Sequence, residues 1–188
     1  MDNEVIKAIL ERRSIRSFKP EPVPDGVLDT ILQAGSFAPT ANGTQAWHIT
    51  AIVGQEKIAE LDAKLKESSK IEGFDRYRKF VSGAYTINFK NGPVFVIVGS
   101  HRTESVCPVE DGTLVLGNIL LAAHALELGA CWINQLVAVG EEPGFRSYLT
   151  SLGFPATHLV IGSAVIGIPA SPHPKAHKRK PGQINVVN

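Results

Sequence analysis

The chain has 188 residues, a length that suits one domain, or one protomer of an obligate dimer. Hydrophobic residues make up 44% and charged residues 20%, enough to bury a core, which excludes disorder as the default state. A formal net charge of +1 argues against nucleic acid as a main partner. In chain order, Asp2 can cap a first helix whose apolar positions Val5, Ile6, Ile9 and Leu10 follow helical spacing. A basic run over 12–16 follows, and Pro20, Pro22 and Pro24 then enforce an extended connection. The spacing predicts a second helix over 25–33, a polar loop over 38–45, a strand over 47–53 and a helix over 55–67. Residues 68–92 mix charges and aromatics without a period and read as irregular structure or short helices.

Residues 93–98 form an unbroken apolar and β-branched run, which predicts a strand buried on both faces. The next helix, about 111–128, is apolar nearly all round and stops at Gly129, so it belongs inside a structure rather than on its surface. A strand is expected to start at 130–133, with a helix over 142–152 and a strand over 158–168. The tail over 169–181 is proline-rich, basic and extended. It ends in Ile184, Asn185, Val186 and Val187, strand-prone residues that need a sheet edge, on this chain or on a second one.

Cys107 and Cys131 are read as reduced thiols. The acidic N-terminus leading into a helix is no signal peptide, and the longest apolar stretch is too short and too polar to span a bilayer. The expectation is a cytoplasmic protein with neither a membrane nor a nucleic-acid partner.

Three features could carry chemistry. Arg12, Arg13 and Arg16 near the start, and Lys178, Arg179 and Lys180 near the end, are either solvated charge or two halves of an anion site. Arginine's planar fork suits phosphate, and Ser14 adds a hydroxyl among the arginines. The loop over 38–45 is either a self-bonded polar turn or a ligand loop, in which Asn42 and Gln45 offer amide donors and acceptors to a ring edge. The stretch 129–135 is either an ordinary connection or a place where backbone amides approach a flat ligand. A dinucleotide glycine fingerprint, a Walker A loop and a G-x-S-x-G elbow are all missing. His173 and His177 are four apart, but Pro174 and the extended tail favour solvated histidines over a metal pair, and no metal site is expected. His48 and His124 are expected on a strand and in the core.

With these residues in view, the chain resembles the FMN-dependent nitroreductase family over nearly its full length. The run from Arg12 through Phe18 resembles the family's R-R-S-x-R-x-F signature, and 38–47 resembles its A-P-S-x-x-N-x-Q-P-W loop. Asn118 on the buried helix, with Leu128 and Gly129 before Trp132, is similar to the family's central helix and next strand; 178–181 is similar to its closing basic motif. The resemblance implies an α+β fold: a nitroreductase-like α/β/α sandwich over 1–188 with a mixed, mostly antiparallel central sheet. It also implies a long buried dimer helix and a C-terminal arm over 169–188 that pairs with the partner chain.

The resemblance further implies site roles. Arg12, Arg13 and Ser14 should hold FMN, with Arg12 and Ser14 near the phosphate and ribityl end. Arg16 should lie at the pyrimidine edge, where positive charge stabilises the reduced, anionic ring. Pro39, Thr40, Ala41 and Asn42 should come from the partner chain, with Gln45 close by. Backbone around Trp132, Ile133, Asn134 and Gln135 should face flavin N5, and Lys178 and Arg179 should reach the phosphate. Chemistry would rest with the flavin, leaving no protein residue a catalytic role. The implied activity is ping-pong transfer from NAD(P)H to an electron-poor small molecule such as a nitroaromatic or quinone, in a homodimer. Reductive dehalogenation, flavin fragmentation, flavin storage without turnover, and a generic phosphate-binding module remain open alternatives. Ala46 stands where the family usually has proline, Asn134 and Gln135 where some members carry an acidic residue and glycine, and 68–91 matches no motif.

Overall fold

The run from Val94 to His101 is the spine of the molecule in this computed structural model, which describes residues 3–76, 87 and 91–187. It forms β2, and its first seven residues are buried. Two antiparallel partners flank it: β1 (Trp47–Val53) on one side and β4 (His158–Gly167) on the other. β3 (Gly129–Ile133) pairs antiparallel with β4, giving the order β1-β2-β4-β3. The expected mixed sheet is thus antiparallel in every ladder among the described residues; parallel pairing enters as the single bridge Ser14–Ala130.

Because β2 alternates, its two faces feed two cores. Phe95 and Ile97 pack with Ile58, Leu61 and Leu65 of α3 (Gln55–Ser68). The same side holds Leu136 and Val139 of α5 (Gln135–Val139), and Phe145 and Leu149 of α6 (Pro143–Ser151). Val94, Val96 and Val98 pack instead with Ile31 of α2 (Val27–Ser36) and with Val115, Leu116, Ile119 and Ala123 of α4 (Pro108–Ala125). Helices on both faces of one sheet give the expected α/β/α layering. The backbones of α2 and α4 approach closely: a Cβ on Gly35 would lie 2.7 Å from Ile119. Asn118 donates to the Ala34 carbonyl at 3.1 Å and ties the same pair.

Element ends differ from the sequence reading for local reasons. α1 (Glu4–Glu11) is capped by Asn3, whose side chain accepts from the Val5 and Ile6 amides; Asp2 lies outside the described residues. α2 starts two residues late, after Gly26 at φ +75°, and runs on to Ser36. α4 begins at Pro108, whose fixed φ suits a first helical position. It ends before Glu127, which takes φ +61°, so Gly129 opens the strand instead of stopping the helix. Glu142 is the cap of α6 rather than its first residue, accepting from the Gly144 and Phe145 amides. α5 is absent from the sequence reading; it starts at Gln135, inside the stretch read as a strand and its connection. Of the irregular structure expected over 68–92, residues 69–76 form turns and bends after α3, and residues 77–86 and 88–90 lie outside the described residues. No helix among the described residues is long and apolar enough to cross a membrane.

One end of the sheet carries three imidazoles. The His158 ring centroid lies 5.9 Å from that of His48 and 5.3 Å from that of His101, with Phe154 covering Gly99 between them. Burial holds the His158 ring below its ordinary pKa, helped by His101, His48 and Arg146 and opposed by Glu104. Burial likewise lowers His48. A histidine depressed in the folded state takes up its proton more readily when unfolded, so stability should be full at neutral pH. It should decline as pH falls below about 6.5, the unfolded value, towards the lower folded value. Urea titrations from pH 8 to 5 should show the midpoint falling over that window, with His158→Gln flattening the fall; an unchanged slope would contradict the account.

Candidate functional site

Backbone pairing carries both basic runs to one place. The Ile15 amide donates to the Ala130 carbonyl at 3.0 Å, which lays 12–16 along the outer edge of β3. Three residues on, Phe18 bridges Pro169, the Lys19 amide donates to the Ile168 carbonyl at 2.9 Å, and the Ala170 amide donates to the Ser17 carbonyl at 3.0 Å. The arm therefore leaves β4 beside the N-terminal segment. Further along, the rings of His173 and His124 on α4 lie 5.3 Å apart. His173 is exposed, as expected of a solvated tail histidine, while its ring lies against that of His124. His124 is held low by burial first, then by His173, Arg12 and Arg13, against Glu11.

The result is a cleft of about 240 Å³ lined by Arg12, Arg13, Ser14 and Arg16 from one end of the chain and by Pro174, Lys175, Ala176, His177 and Arg179 from the other. Four guanidinium groups, a lysine amine, a hydroxyl and an imidazole converge there. Arg13 is partly committed, since its Nη1 donates to the Leu10 and Arg12 carbonyls at 2.8 Å and closes the end of α1. Its Nε is buried with no hydrogen-bond partner among the described residues, a donor left for a ligand on the cleft wall. Cys131 lies alongside: burial raises its thiol, opposed by Arg16, Ser14 and Arg12. The donor set fits a phosphate monoester, which offers several acceptor oxygens and nearly two negative charges.

The sequence reading names Lys178 for this site and misses Lys175 and His177. The arm lays the consecutive residues 174–177, and then Arg179, along the cleft, whereas Lys178 does not line it. Cationic and imidazole side chains scattered along the tail before the basic run are the signal that could find them; the contiguous run draws attention away from it.

The other two motifs stand apart from this cleft. Pro39, Thr40, Gly43 and Gln45 line a second cavity of about 530 Å³ with Phe37 and Trp47, sharing no residue with the first. The loop is held in an unusual shape, with Asn42 at φ +54° and Gln45 at φ +50°, a region non-glycine residues seldom enter. The Gln45 amide donates to Thr40 Oγ1 at 3.1 Å, and the Ala41 amide donates to Asp111 Oδ1 at 2.9 Å. None of 132–135 lines the cation cleft. The Trp132 indole packs on Gly162 and donates to Asn134 Oδ1 at 3.2 Å; Ile133 is buried, and its carbonyl accepts from Ser163 Oγ at 2.8 Å. Asn134 is exposed and Gln135 opens α5.

Residues 9–167 match the nitroreductase family, a span that holds the first basic run, the polar loop and the whole sheet. The chain belongs to the nitroreductase family. A nitroreductase structure with bound FMN from Bacteroides fragilis superposes with a TM-score of 0.91, at 33% identity, covering 100% of both chains. A Methanothermobacter thermautotrophicus relative whose name pairs NADH dehydrogenase with NAD(P)H nitroreductase is 33% identical over 146 residues, 76% of this chain and 67% of its own. An NADPH-flavin oxidoreductase from Vibrio harveyi is 27% identical over 98% of this chain and 73% of its own. Within the nitroreductase fold, the basic cleft at the meeting of the two chain ends is the candidate cofactor site, and the loop over 39–45 is a second, separate wall.

Proposed function

We propose that the chain is an FMN-dependent NAD(P)H oxidoreductase that reduces electron-poor small molecules such as nitroaromatics or quinones by a ping-pong mechanism. The observation that carries this reading is the cleft in which cations from both ends of a nitroreductase-family chain converge, with the buried, unpartnered Nε of Arg13 among them. Bound FMN would supply the redox chemistry, accepting electrons from NAD(P)H and passing them to the acceptor. The chain's own part is binding, orientation and field. Arg12, Arg179 and Lys175 supply charge for the phosphate, Ser14 a hydroxyl, and Arg13 Nε a fixed donor. The resemblance assigns Arg16 to the pyrimidine edge, where its guanidinium would offset negative charge on the ring. Backbone over 132–135 is assigned to the N5 side of the ring.

The working form in this reading is a homodimer. Val5, Ile6, Ile9 and Leu10 on α1 are all exposed, as are Val109 and Leu114 on α4, and Ile184, Val186 and Val187 at the end of the arm. So much exposed apolar surface on three elements suits a partner copy. A second copy would also bring its 39–45 loop to a cleft that this chain's own loop does not line. The two free cysteines suit a reducing compartment, and we place the protein in the cytoplasm.

The visible spectrum of the purified protein tests the reading. Flavin absorbance near that of bound FMN, bleached anaerobically by NADPH or NADH and restored by a nitroaromatic or quinone, is the expected result. A colourless preparation that neither takes up added FMN nor oxidises NAD(P)H would overturn it.

A further inference from the structure

We propose that Asp111, at the start of α4, is a positioning residue that sets flavin affinity by holding the 39–45 loop in its strained shape; this rests on the reading just given. The loop stores conformational cost, because Gln45 at φ +50° has neither glycine's freedom nor asparagine's tolerance of that region. Such a shape persists only where surrounding contacts over-determine it. Two contacts do so: Thr40 Oγ1 accepts from the Gln45 amide inside the loop, and Asp111 Oδ1 accepts from the Ala41 amide across a sequence separation of 70 residues.

Asp111 is spent on this task. It is only 3% exposed, and its second oxygen accepts from Ser105 Oγ at 2.6 Å. Ser105 is itself buried and accepts from the Cys107 amide at 2.9 Å, so the carboxylate is braced from behind. Among the described residues the two oxygens accept from the Ala41 amide and from Ser105 Oγ, neither of them an amide of its own helix, and no ion pair reaches Asp111. Burying a charge without a cation is costly, and an apolar side chain would pack there at lower cost. The place of Asp111 in the first turn of α4 offsets part of that cost through the helix dipole. What the carboxylate returns is a rigid link between α4 and Ala41, so that Asn42 and Gln45 are presented as one unit with the helix.

FMN titration followed by quenching of flavin fluorescence tests this on the full chain. Asp111→Ala should raise the FMN Kd by about ten- to a hundredfold. Asp111→Asn keeps an oxygen for the Ala41 amide and should stay within about threefold of wild type. At saturating FMN the alanine variant should recover wild-type kcat, because the residue never touches the reacting atoms. Hydrogen exchange separates positioning from general weakening: Asp111→Ala should speed exchange of the Ala41, Gly43 and Thr44 amides while those of β2 keep their protection. Should the alanine variant not fold, Ser105→Ala, which removes only the brace, should show the same loop-selective exchange with a smaller drop in affinity. Unchanged FMN affinity in folded Asp111→Ala, equal drops for alanine and asparagine, or unaltered loop exchange would each overturn the proposal. Wild-type protein that binds no FMN would overturn the parent reading and this one together, whereas Arg12→Ala should lose FMN with loop exchange intact.

Discussion

Arg12→Ala is expected to purify without yellow colour and to need about ten- to a hundredfold more FMN for half-saturation. The magnitude follows from the interaction that the substitution removes. A guanidinium hydrogen-bonded to a phosphate is charge-assisted, worth about 1.5–3 kcal/mol, and its planar fork engages two oxygens at once. Its neighbours substitute only in part. Arg13 Nη1 is already taken by the Leu10 and Arg12 carbonyls, and Arg179 and Lys175 hang on an exposed arm whose order costs entropy. Arg12→Lys should fall between wild type and alanine, since it keeps the charge and loses the fork. The Arg12 side chain makes no hydrogen bond or ion pair among the described residues, so melting of the flavin-free variant should match that of flavin-free wild type. Wild-type FMN affinity in Arg12→Ala, measured by fluorescence titration, would contradict the assignment.

Gly129→Ala should be the most damaging of the conservative substitutions near the site. A Cβ there would meet Ile15 Cβ at 2.7 Å and its two γ carbons at 2.8 and 2.9 Å. These are atoms next to the backbone rather than the far end of a flexible side chain, so the segment itself must move. Overpacking of this kind costs about 1–3 kcal/mol, or about 2–4 °C in melting temperature for each kcal/mol at this chain length. The displaced segment carries the Ile15–Ala130 hydrogen bond and, beside it, Ser14 and Arg16. Reduced stability should therefore come with weakened FMN binding, unlike Arg12→Ala, where binding falls alone. Urea unfolding and flavin titration on the same preparation measure both, and a variant as stable as wild type would show that Ile15 yields freely.

How much of this is legible in the sequence depends on how local each cause is. β1 can be read to the residue, because alternation and a following glycine are local signals, and the buried run of β2 announces itself. The start of α4 is misplaced by three residues because Pro108 reads as a breaker in a sequence and as a helix start in a structure. The arginines at 12, 13 and 16 are legible as a cluster, since adjacent like charges need a reason. Lys175 and His177 are not, because which stretch of the tail lies against the N-terminal basic run emerges only once the course of the arm is fixed. Asp111 is invisible as a clamp: nothing in a sequence joins it to an amide 70 residues away. The separation of the 39–45 loop from the basic cleft likewise depends on the fold rather than on the motif.

The Phe18–Pro169 crossing has one more consequence. Everything after it lies outside the sheet, yet Lys175, His177 and Arg179, three of the anion-facing side chains, sit there. A proteolytic nick in that exposed stretch would leave each rung of the ladder in place while cutting away one jaw of the cleft. Damage of that sort would pass a folding check and be noticed as missing pigment, which makes colour the more sensitive gauge of an intact molecule.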